Sequence, residues 1–85
     1  MYTKPAAVGY TVYTKSNCSA CEATKNTIPE ALYINCDSYL DDPDEFLDFV
    51  WSLPEADTVK SFPMIFKDGK YFGGYKEISF EKSDF

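Results

Sequence analysis

Tyr10-Thr11-Val12-Tyr13-Thr14-Lys15-Ser16-Asn17-Cys18-Ser19-Ala20-Cys21 is the stretch that decides the fold. Its first five residues are β-branched and aromatic, which predicts a strand, with Gly9 marking the start. Lys15-Ser16-Asn17 then reads as a short loop in which Ser16 or Asn17 caps the next element. From Cys18 to about Thr27 the sequence is compatible with a helix. Pro29 ends it, because the residue before a proline avoids helical angles. The cysteine pair therefore falls where a strand hands over to a helix.

Moving outward, Ala31 to Cys36 reads as a second strand, apolar enough for a buried parallel one. Asp42 is an N-cap candidate, Pro43 suits the first helical position and Glu45 completes a capping-box-like pair. Phe46, Phe49, Val50 and Leu53 follow at helical spacing, with Leu47 and Trp51 beside them, and Pro54 closes the helix. Phe46, Phe49 and Trp51 are most simply core. Met64 to Lys67 and Lys70 to Phe72 form a hairpin around Asp68-Gly69, a pair that accepts the positive φ angles of a two-residue turn. Gly73-Gly74 breaks the last strand, and Tyr75 to about Glu81 is a short helical tail. The order is β-α-β-α-β-β-α. The first strands, joined through helices, are expected to pair in parallel with right-handed crossovers, and the last two to form an antiparallel hairpin. The expectation is an α/β fold, a four-stranded mixed sheet flanked by helices. It forms a single domain over residues 1–85, with residues 1–8 as a short N-terminal arm.

All eight basic residues are lysines; without Arg or His, no histidine base, histidine metal ligand or arginine clamp is available. Fourteen acids bring the net charge to −6, which argues against nucleic-acid binding through a basic surface. Hydrophobic residues at 45% and aromatics at 18% suffice for a packed core. No apolar run approaches the roughly 18 residues of a membrane span, and residues 1–9 carry no signal-peptide core. The cysteines Cys18, Cys21 and Cys36 make a poor disulfide framework, so a reducing, cytoplasmic setting is expected. Cys36 reads as a small buried hydrophobe. Between Asn26 and Val59 there are nine acids and no lysine, while the remainder holds eight lysines against five acids. That acidic run is a solvated face, or one that repels wrong partners and meets a basic one.

Cys18 and Cys21 are three positions apart at a helix start, where a disulfide closes with little backbone change. Free N–H groups and the helix dipole there stabilise a thiolate. Cys18 at the tip is expected to be the exposed nucleophile, and Cys21, one turn in, to act second. Lys15 adds positive charge and Glu22 opposes it. Three readings of the pair compete. Half a zinc site needs further ligands, and only Cys36 remains, so no metal is expected. A purely structural disulfide does not suit a reducing compartment. A redox dithiol fits a Cys-X-X-Cys pair in a βαβ setting.

From Tyr10 to about Phe80 the chain resembles glutaredoxins, small members of the thioredoxin-like superfamily. Three landmarks carry the resemblance. Val12 to Cys21 looks like the family's strand, lysine and active-site pair, with Ser19 and Ala20 where Pro and Tyr are common. Ala20 thereby lacks a glutathione-packing ring. Ser61-Phe62-Pro63-Met64-Ile65-Phe66 resembles the family's Thr-Val-Pro segment, whose proline is cis and faces the disulfide. Phe62 would offer its backbone to the substrate; by itself Pro63 also suits an ordinary trans proline at a strand start. Gly73-Gly74-Tyr75-Lys76-Glu77 looks like Gly-Gly-Tyr-Thr-Asp, where the family binds the γ-glutamyl end of glutathione; Lys76 and Glu77 also read as plain surface charges.

The resemblance implies a monomeric glutathione-dependent thiol–disulfide oxidoreductase. Cys18 and Cys21 would be catalytic. Lys15, Lys60, Phe62, Pro63, Gly74, Tyr75, Lys76 and Glu77 would line the groove. Glutathione would be co-substrate, with no tightly bound cofactor, and disulfide-containing proteins the partners, ribonucleotide reductase among them by family analogy. Two alternatives stand beside it. One is a glutaredoxin-like donor to ribonucleotide reductase that is itself reduced by thioredoxin reductase, suggested by Cys18 to Thr24. The other is a glutathione-assisted [2Fe–2S] dimer.

Overall fold

A computed structural model describes residues 2–82; Met1 of the N-terminal arm and residues 83–85 lie outside the described residues. The elements are β1 (Tyr10–Thr14), α1 (Ser19–Thr27), β2 (Leu32–Asn35), a 3-10 turn (Asp37–Asp41), α2 (Pro43–Trp51), β3 (Met64–Lys67), β4 (Lys70–Gly73) and α3 (Tyr75–Glu81). The sheet order is β2-β1-β3-β4. β1 pairs in parallel with β2 and antiparallel with β3, and β3 pairs antiparallel with β4.

Parallel pairing through a helical connection thus holds for β1 and β2 but not for β3. The second connection brings the chain back to the end it left. Tyr71 N–H holds the Pro54 carbonyl at 3.0 Å beside β4, and the chain then climbs to Met64, opposite Tyr13. The residues between α2 and β3 are long enough to undo the reversal made by the helix.

β1 is central, and its side chains alternate between two cores. Val12 packs with Ile28, Ile65 and Ile78 on the side of α1 and α3. Tyr13 packs with Cys36, Phe46, Val50, Met64 and Phe66 on the side of α2. Such fully buried side chains each contribute about 1.5–3 kcal/mol. The Tyr13 hydroxyl donates to the Thr3 carbonyl at 2.6 Å, and the Tyr2 ring packs on Phe49, so Tyr2 of the N-terminal arm joins the second core.

Helix α2 starts as its sequence dictates. Asp42 caps it by accepting the Glu45 N–H at 3.1 Å, with Pro43 in the first turn. The hairpin turn places Asp68 and Gly69 at φ 53° and 85°. Two further expectations need correction. The second strand is shorter than Ala31 to Cys36, and it is an edge rather than a buried strand, with Leu32 50% exposed. Only β1 pairs with it: Ile34 packs on the Tyr13 core and Tyr33 on the Val12 core, but the outer edge is open, so both stay only half-buried. Trp51 is 36% exposed rather than core; its ring N–H donates to the Val59 carbonyl at 2.7 Å, which draws the indole to the helix end. Among the described residues no helix is long and apolar enough to cross a membrane.

Candidate active site

The site forms at the C-terminal end of β1. Asn17 turns the chain with a left-handed φ of 56°, a conformation that Asn tolerates. Cys18 follows in an extended conformation and is itself the N-cap of α1: its sulfur accepts the Cys21 N–H at 3.2 Å. The cap expected of Ser16 or Asn17 is therefore supplied by Cys18, because Ser16 is engaged elsewhere. A sulfur in this position receives one of the orphan N–H groups of the helix start and feels its dipole. Glu22 pairs with Lys25, at 3.5 Å.

Cys18 is partly exposed and Cys21 buried, the asymmetry expected of their positions; both are free thiols. Burial, and then the hydrogen bond with Cys18, push the Cys21 thiol up to about 11, against a smaller pull from the Lys15 backbone. Cys36 is fully buried, and burial pushes its thiol up to about 12. Both shifts favour the neutral thiol in the folded state. The stability they confer is complete below pH 9, the ordinary thiol value, and is lost as pH rises from there toward the two folded values. Urea midpoints are therefore expected to fall between pH 9 and 10.5, and Cys36→Ala to flatten that slope. A wild-type midpoint that stays level over this range would contradict the assignment.

The Phe62–Pro63 peptide is cis, as the resemblance implies. Antiparallel pairing of Tyr13 with Met64 sets Pro63 opposite Thr14, at the root of the Lys15–Asn17 loop. The Lys15 ammonium lies 6.0 Å over the Phe62 ring, and that ring stacks on Phe46 with centroids 6.1 Å apart. Lys15, Phe62 and Pro63 are thus gathered beside the cysteine pair.

Gly73 and Gly74 bring the chain past this point. A Cβ on Gly73 would lie 2.6 Å from the Glu77 side chain at a φ of 157°, and a Cβ on Gly74 would lie 3.6 Å from the Pro63 carbonyl. Glu77 Oε1 accepts the Gly74 N–H at 2.7 Å, so this carboxylate caps α3. Tyr75 is partly buried against the Val12 core. Lys76 is exposed and, with Phe72, Glu77 and Phe80, lines an open cavity of about 460 Å³. Lys60 is exposed two residues before Phe62, on the loop leading to the site. One residue that sequence reasoning passed over also reaches the site: Asp37, which accepts hydrogen bonds from Ser16. Its signal in the sequence, one acid within a long acidic run, does not distinguish it.

This mixed sheet with helices on both faces, and a Cys-X-X-Cys pair opening the first helix, is a thioredoxin-like α/β fold. It is shared with the crystal structure of glutaredoxin 1 from Francisella tularensis complexed with cacodylate, at a TM-score of 0.71. The two are 23% identical over 86% of this chain and 90% of that one, a likeness that establishes the fold. No family model and no curated protein matches the chain.

Proposed function

We propose that the protein is a thiol–disulfide oxidoreductase of the glutaredoxin kind, with Cys18 as nucleophile and Cys21 as resolving thiol. The observation that carries this reading is the Cys18 sulfur at the helix N-terminus, accepting the Cys21 N–H with the buried Cys21 thiol behind it. The Cys18 thiolate attacks one sulfur of a substrate disulfide. An S–S bond to Cys18 forms as the substrate bond breaks, and the departing thiolate takes up a proton. Cys21 then gives up its proton and attacks the Cys18 sulfur, which releases the second substrate thiol and leaves a Cys18–Cys21 disulfide. Two electrons have passed to the substrate. Two glutathione molecules return them, becoming glutathione disulfide. Burial and the hydrogen bond with Cys18 favour the neutral form of the Cys21 thiol in the reduced protein.

Lys15, Phe62, Pro63, Lys76 and Glu77 would form the substrate groove, with Lys60 at its rim and Gly74 and Tyr75 along its wall. Protein disulfides in the cytoplasm are the substrate class, ribonucleotide reductase being one candidate. A second reading has thioredoxin reductase as the electron source. It is favoured by Ala20, which offers no ring to glutathione, and by Glu77, which already spends one oxygen on Gly74.

NADPH consumption on a small mixed disulfide separates the two. It is expected with glutathione plus glutathione reductase. Turnover with thioredoxin reductase alone would transfer the protein to the second reading, and no turnover with either would refute both.

A further inference from the structure

The loop that presents Cys18 is latched at Ser16 by a residue far from it in sequence. Asp37 opens the 3-10 turn after β2, and one of its carboxylate oxygens accepts the Ser16 N–H at 2.9 Å. Its other oxygen accepts the Ser16 hydroxyl. Asp37 is oriented in turn through its own N–H, which donates to Asn35 Oδ1 at 2.9 Å. Ser16 precedes the left-handed Asn17, and Asn17 precedes Cys18. The chain therefore has little freedom between the latch and the sulfur.

We propose that Asp37 is a positioning residue for Cys18. Its carboxylate, by holding both donors of Ser16, sets the loop so that the Cys18 sulfur meets the N–H of Cys21. The proposal rests on the reading that Cys18 is the reacting thiol. The hydrogen bonds from Ser16 hold the Asp37 carboxyl below its ordinary range, and the Lys15 cation favours the same ionised form.

Two effects of removing Asp37 have opposite signs, which makes the proposal decidable. Loss of a nearby negative charge by itself favours the Cys18 thiolate, so the pH profile of its reactivity would move down. Loss of the latch frees the loop and weakens the N–H contact to the sulfur, so the profile would move up.

The measurement is the rate of iodoacetamide alkylation at Cys18 against pH, with the adduct located by peptide mapping, in the intact protein. Asp37→Ala is expected to move the profile up by about half to one pH unit and to slow alkylation at pH 7 about three- to tenfold. Ser16→Ala, which keeps the charge and loses only the hydroxyl donor, is expected to move it up by less, and Ser16→Thr to restore it. A profile that is unchanged or moves down in Asp37→Ala would overturn the latch. If Asp37→Ala does not fold, an unchanged profile in Ser16→Ala does so. Reductase turnover of the wild-type protein is measured alongside. Its absence refutes the proposed function, while the alkylation profiles still decide the latch.

Discussion

Replacing Cys18 with serine is expected to abolish disulfide reduction, with a loss of about a thousandfold or more in turnover. A serine hydroxyl is scarcely ionised at neutral pH and cannot form the mixed disulfide through which the electrons pass. The change is otherwise mild. Serine is a favoured N-cap, and its oxygen can accept the Cys21 N–H that the sulfur accepts at 3.2 Å. Stability is therefore expected to change by less than about 1 kcal/mol, so lost turnover reports chemistry rather than unfolding. NADPH-coupled turnover beside a urea titration checks both halves. Retention of more than about a tenth of the wild-type rate would place the reaction on another group.

The largest expected loss of stability is that of Phe46→Ala, about 3–5 kcal/mol. Folded domains hold only about 5–15 kcal/mol in total, so this variant stands near the limit of folding. Phe46 is buried where four other rings converge: Tyr2 from the arm, Tyr39 from the 3-10 turn, Phe49 on its own helix and Phe62 beside the cis proline. Side chains from four separate segments cannot all close over the vacated volume, so most of the cavity cost remains. Trp51→Ala, by contrast, removes a ring that is already 36% exposed and is expected to cost less. Urea denaturation of the two variants compares them; equal losses would contradict the placement of the core. Because Phe62 stacks on Phe46 and also meets the Lys15 ammonium, Phe46→Ala is expected to disturb the proposed groove as well.

What could be read from the sequence was set by neighbours in the chain. Asp42-Pro43 starts a helix because one carboxylate and one fixed φ act within a single turn. Asp68-Gly69 makes the hairpin because two adjacent residues accept positive φ. The cysteine pair at the strand-to-helix junction is equally local, as is the exposure difference between Cys18 and Cys21. Glu77 reads from the sequence as a ligand contact, by the resemblance, or as a plain surface charge. Its bond to Gly74, only three residues away, competes with the ligand contact that the resemblance implies.

The misread features involve partners distant in sequence. Apolar residues at Ala31 to Cys36 predict a strand, but its number of neighbours depends on where the rest of the sheet lies. The direction of β3 turns on a connection anchored by Pro54 to Tyr71. Ser16 was legible as a cap; its actual acceptor, Asp37, lies 21 residues further on, inside an acidic run that gives no sign of it.

By itself, then, the sequence determined the order of the elements, the hairpin, the capped second helix and the place of the two cysteines, since each comes from torsional preferences and hydrogen bonds within a few residues. Only the tertiary structure decided that β2 is an edge, that β3 runs against β1, that Trp51 lies at the surface and that Asp37 holds the loop before Cys18. Those outcomes depend on which surfaces meet when the chain closes on itself, and no local preference encodes that meeting.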